Sequence, residues 1–218
     1  GSNEDPSVVS FQFLAFTYVS IVLLSMVDWS GIGESTETRH TAVVSLQGVI
    51  ANGQPASAEE INKLLRSAFE DENTEGVVLQ INSPGGTPVQ AGQIFEEIVR
   101  LRDAHPETPL YAVVGDLCAS GGYYVASAAD EIYASPASMI GSIGVRMDAF
   151  GVQDLMAKLG IERRTLVAGE NKALMDPFGP KNPEHRKHLQ SMLDQVHVQF
   201  IEAVKQLAVD VKLPNFSS

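Results

Sequence analysis

The chain has 218 residues, of which 44% are hydrophobic, enough to bury the core of one sizeable domain and leave an appendage. Its formal charge of −12, with no basic patch, argues against a nucleic-acid partner and implies solubility and repulsion from anionic lipid head groups. A single cysteine, Cys118, excludes an intrachain disulfide and any multi-cysteine metal site.

In chain order, Gly1-Ser2 is set aside as a cloning remnant, and 1–7 form a flank. Residues 8–27 are almost wholly apolar and carry no charge. At about 1.5 Å per residue they reach about 30 Å, the thickness of a bilayer core, with Trp29 where an interfacial aromatic belongs. No basic region precedes the run and no small-x-small site follows it, so a membrane-spanning helix is predicted over a cleaved signal peptide. A core helix is seldom apolar all round. Neither flank has a Lys/Arg excess, so charge leaves the orientation open. Residues 28–40 are polar and read as a tether, with the folded domain, 41–208, starting near Thr41.

Within the domain, 42–50 reads as a strand ending at Asn52-Gly53. Ser57 and Glu60 make a capping box before an amphipathic helix through Ile61, Leu64, Leu65 and Phe69. A strand over 76–81 and an amphipathic helix over 88–104 follow, the latter with Ile94, Ile98 and Leu101 on one face. Leu110 to Val114 is a short buried strand, broken by Gly115 and Asp116, and a small-residue helix runs on from Ala119. A long helix spans 183–208, and 209–218 stay unassigned. The alternation of strand and helix implies right-handed crossovers and a mostly parallel sheet, an α/β fold.

Chemistry concentrates at two strand ends. Ser120 sits at a strand-to-helix turn, followed at once by Gly121 and Gly122. A helix start leaves N–H groups free, so a hydroxyl there is placed to attack a carbonyl whose oxyanion they hold. Ser120 reads equally well as a plain N-cap. One unit earlier, Asn82-Ser83-Pro84-Gly85-Gly86 offers a second set of unobstructed N–H groups at a carboxyl strand end. A serine nucleophile needs a base. The five histidines, His40, His105, His185, His188 and His197, fall in the tether, a connection and the last helix. Among the lysines Lys172 stands apart, in the loop 167–180 beside Ala173, Leu174, Met175 and Phe178. Burial among such neighbours is what keeps an amine neutral and able to take a proton, though a surface lysine fits the same residues. Cys118 reads as a small buried residue closing its strand.

Together, Gly115-Asp116-Leu117-Cys118-Ala119-Ser120-Gly121-Gly122-Tyr123-Tyr124, the Asn82 to Gly86 loop, Ile140-Gly141-Ser142-Ile143-Gly144-Val145 and Ala168-Gly169-Glu170-Asn171-Lys172 resemble the bacterial signal peptide peptidases of the serine–lysine type. Those are membrane-anchored members of the Clp-protease/crotonase superfamily, and the similarity runs from the membrane segment to about Gln206. The resemblance implies a Clp/crotonase-like fold of repeated β-α units behind one transmembrane helix. It implies Ser120 as nucleophile, Lys172 as general base, Ser142 as the hydroxyl that orients the amine, and Gly121, Gly85 and Gly86 as oxyanion donors. It implies no cofactor and no metal, a homo-oligomeric ring or dome with sites built across interfaces, and peptide substrates such as signal-peptide remnants. The protein is then expected in a bacterial inner membrane, single-pass, with the domain outside the cytoplasm.

The punctuation at Gly169 and at Pro177-Phe178-Gly179-Pro180 suits a loop that reaches a neighbouring protomer. The Gly85-Gly86 edge has few charged side chains, which suits an extended apolar peptide and disfavours acidic or basic ones. The chain departs from the family pattern after the last helix, so the peptidase domain is expected to be incomplete at its C-terminus. Two other readings stay open: a membrane-bound scaffold or pseudo-protease, and a crotonase-like acyl-CoA enzyme.

Overall fold

The computed structural model describes residues 17–18, 38–206 and 211–212. The chain forms two compact units, Gly1–Thr38 and Arg39–Ser218, and the second holds the sheet. The membrane span expected over 8–27 lies outside the described residues, apart from Thr17 and Tyr18, which are helical. No helix among the described residues is long and apolar enough to cross a membrane.

Six strands build the sheet: β1 (His40–Gln47), β2 (Thr74–Ser83), β3 (Leu110–Ala119), β4 (Glu131–Tyr133), β5 (Met139–Gly141) and β6 (Val211–Lys212). The order is β1-β2-β3-β4-β6, with β5 on the distal half of β3, and every pairing is parallel. The helices are α1 (Ala58–Glu70), α2 (Pro88–Ala104), α3 (Gly121–Ala126), α4 (Gln153–Lys158) and α5 (Pro183–Gln206). The strand–helix alternation of the sequence therefore gives the parallel α/β sheet it implied. Val77, Leu79 and Ile81 of β2 are fully buried, and Ile61, Leu65, Ile94 and Ile98 from α1 and α2 join the same core. Ser57 opens α1 as its N-cap and accepts the Glu60 N–H at 3.4 Å. Between α1 and α2, buried Glu97 accepts Arg66 at 2.6 Å and Arg100 at 2.7 Å. The Arg100 hydrogen bond, opposed by burial and helped by Arg66, holds that carboxyl down at about 2.

One strand boundary differs from expectation, with a consequence for the site. β3 does not stop at Gly115 and Asp116 but continues to Ala119. Its register against β2 jumps from Ile81↔Val114 to Ser83↔Cys118, so the extra residues are taken up in a bulge. The Asn82 side chain bridges the gap, its Oδ1 accepting the Leu117 N–H at 3.1 Å. Gly115 faces that side chain closely, since a Cβ there would lie 3.4 Å from the Asn82 Cβ. β4 and β5 take the two halves of the same β3 edge, and are too short to show as periodic runs.

Beyond β5 the character changes. No residue of α4 is buried, and Ile143, Phe150, Leu155, Leu159, Ile161 and Leu166 are exposed, Phe150 to 84%.

Candidate active site

Ser120 links β3 to α3 with φ 51° and ψ −121°, a region that residues with a Cβ adopt only under strain. The surroundings enforce it: the Ser120 N–H donates to Gly141 O of β5 at 2.8 Å, and its carbonyl accepts the Tyr124 N–H at 2.9 Å. Although Ser120 occupies the N-cap position, its hydroxyl takes no N–H from α3. Capping, open from the sequence, is not what this side chain does.

The glycines around Ser120 are there because two turns interlock. A Cβ on Gly121 would sit 3.1 Å from the Ala91 Cβ and 3.3 Å from the Gly86 nitrogen. A Cβ on Gly85, whose φ is +90°, would meet the Gly121 nitrogen at 2.6 Å. Ile50 holds the glycine loop from the other side, its N–H donating to Gly85 O at 2.9 Å while its carbonyl accepts the Thr87 N–H at 2.8 Å. Beneath it, buried Ser83 donates to Gly48 O at 2.6 Å and accepts the Gly85 N–H at 3.1 Å. The Gly85 N–H is thus occupied, whereas the N–H groups of Gly86 and Gly121 donate to no acceptor among the described residues. Ser83→Ala should cost about 1–3 kcal/mol, because it strands the buried Gly85 N–H. Urea unfolding of the two proteins measures it.

Ser120, Gly121 and Gly86 line one cavity of about 340 Å³. Its walls are largely apolar, with Val89, Tyr124, Val145 and Phe200 among them, and its one charged side chain is Glu96. Tyr124 stacks on Phe95 at 4.7 Å between ring centroids and meets Phe200 edge-on at 5.0 Å, fixing the wall. Burial first, and then the Glu96 carboxylate, pushes the Tyr124 phenol above its ordinary range. Cys118 is fully buried two residues before Ser120, and burial alone pushes its thiol up to about 12. A thiol so protonated is inert, in keeping with the strand-closing role read for it.

The remaining site residues of the sequence divide. Ser142 follows directly on Gly141, which accepts the Ser120 N–H, and it too has positive φ, 56°. It is exposed beside Gly144 and Val145, which line the cavity. Lys172 is exposed and is not among the cavity residues. The burial expected from its apolar neighbours is not met: Ala173 and Leu174 are half-buried and Met175 is exposed. The loop's Glu170 carbonyl lies 3.2 Å from His185 Nε2, near the start of α5, whereas the cavity uses Val196 and Phe200 of the same helix. At about 1.5 Å per residue those places are about 20 Å apart along the axis. No histidine lines the cavity either.

Reading for nucleophiles alone passed over Asn82, Ser83 and Glu96. Ser83 carried a signal, since a serine before Pro-Gly bonds its own turn, whereas Asn82 reaches Leu117 on the adjacent strand. Glu96 carried none beyond its helix position.

Comparison with known proteins gives the family. Residues 102–210, half of the chain, match the model described as "Peptidase family S49". A protein of Brucella melitensis named "Na(+)/H(+) antiporter NhaA" is 40% identical over 169 residues, 75% of this chain but 23% of that protein. A protein of Enterococcus faecium named "Putative signal peptide peptidase SppA" is 29% identical over 179 residues, 78% of this chain and 52% of that protein. "Protease 4" of Haemophilus influenzae is 28% identical over 169 residues, 76% of this chain and 27% of that protein. The chain thus spans between about a quarter and a half of the length of these relatives. The family model matches half of the chain, and the chain belongs to peptidase family S49.

Proposed function

We propose that the protein is a membrane-anchored serine endopeptidase that uses Ser120 and Lys172 to hydrolyse extended, apolar peptides such as signal-peptide remnants. The observation that carries the proposal is Ser120, strained and uncapped, in one cavity with the unpaired N–H groups of Gly121 and Gly86. The Ser120 Oγ attacks the scissile carbonyl while its proton passes to the neutral Lys172 amine. The oxyanion is held by the Gly121 and Gly86 N–H groups, with Gly85 shaping the turn between them. Collapse of the tetrahedral species, with the lysine ammonium giving its proton to the leaving nitrogen, expels the amine product, returns the lysine to its free-base form and leaves an ester on Ser120. The lysine then activates water to release it. Ser142, next to the Ser120 turn, orients the amine.

Lys172 enters this site from a neighbouring copy of the chain. Three features favour that reading: its exposure, its place near the far end of α5, and the exposed apolar side chains between Ile143 and Leu166 that an interface would cover. The anchor is the apolar run 8–27, and the domain lies outside the cytoplasm, where signal-peptide remnants can be met. The test mixes inactive Ser120→Ala with inactive Lys172→Ala protein under conditions of subunit exchange. Recovered peptidase activity is expected. No recovery despite demonstrated exchange would place both residues of a site on one chain.

A further inference from the structure

The geometry points to Glu96 as a specificity-determining residue that seats a cationic side chain, lysine or arginine, of the peptide in the cavity beside Ser120. This rests on the peptidase reading above and amends its substrate: one cationic side chain, held at Glu96, in an otherwise apolar peptide. Adjacent Glu96 and Glu97 on α2 have opposite surroundings. Glu97 is buried and bound by two arginines. Glu96 is exposed, lines the cavity that holds Ser120 and Gly121, and has no ion-pair partner among the described residues. No lysine, arginine or histidine lines that cavity to neutralise it. The rest of the wall is of the kind that a long aliphatic stem covers: Val89, Tyr124, Val145 and Phe200. A lysine or arginine side chain combines these needs, an apolar stem along the aromatic wall and a charged head at a carboxylate. An acidic side chain would meet like charge. The formal charge of −12 biases encounter the same way.

The experiment uses the full chain and two fluorogenic peptides that differ only in the residue before the scissile bond, lysine or leucine. Glu96→Gln should lower the lysine-to-leucine ratio of kcat/KM by about tenfold. Glu96→Asp should restore part of it, and added salt should lower the wild-type ratio by screening the pair. A merely structural role for Glu96 would change both peptides alike and leave the salt dependence flat. The rate at which lysyl and leucyl aryl phosphonates label Ser120 reads the same ratio without turnover. A ratio that Glu96→Gln leaves unmoved overturns the inference, while Ser120→Ala still abolishing cleavage keeps the peptidase reading. Ser120→Ala protein that cleaves both peptides overturns the two together.

Discussion

Ser120→Ala removes peptide hydrolysis, lowering kcat by about 10⁶, the loss measured when a serine nucleophile is deleted in a serine protease. It should leave the domain folded, because the lost hydroxyl caps no helix N–H. Ser120→Gly separates nucleophile from scaffold more sharply. The φ of 51° that strains serine is open to glycine, so the glycine variant should be as inactive as the alanine variant yet more stable than wild type by about 1–3 kcal/mol. Urea unfolding and peptide turnover on the three proteins give both numbers. An inactive but stabilised glycine variant means that the turn keeps serine at the expense of stability. That is expected of a reacting group and unexpected of a cap.

Gly86→Ala should also lower activity strongly, by another route. A Cβ there would lie 1.9 Å from the Ile50 carbonyl oxygen and 2.8 Å from its nitrogen, backbone that cannot swing aside. The loop must leave Ile50, breaking the bonds that Ile50 makes to Gly85 and Thr87, and the Gly86 N–H leaves the cavity with it. Loss of one oxyanion donor costs about 10²–10³ in kcat, and the displaced turn presses on Gly121 as well, so a loss beyond 10³ is expected. Stability should fall too, because the bridge that joins Ile50 to Gly86 is lost. Activity kept within tenfold of wild type would show that this N–H is not a donor.

The first two helices were readable because their apolar periodicities are long: the helix read over 88–104 is α2, Pro88–Ala104. The Gly85-Gly86 loop and the Ser120 turn were readable as neighbours because parallel β-α units put successive carboxyl strand ends together. What escaped was set by partners distant in sequence. Gly115 and Asp116 look like breakers, yet Asn82 from the adjacent strand carries β3 across them. The two loop glycines look equivalent, and only the Ser83 hydroxyl, placed by packing, uses up the N–H of one. The apolar residues around Lys172 suggested burial, but local composition does not say which surface covers a loop, and here Lys172 stays exposed while Ala173 and Leu174 are half-buried.

The central claim is that Ser120 forms the covalent bond to the substrate, and adduct mapping tests it most directly. Active protein is treated with an alkyl fluorophosphonate, digested, and read by mass spectrometry, with Lys172→Ala alongside. The expected result is a single phosphonyl group on the peptide bearing Ser120, formed in step with loss of peptidase activity and much more slowly in Lys172→Ala. A label on another residue that tracks inactivation, or full inactivation with Ser120 unmodified, would contradict the account.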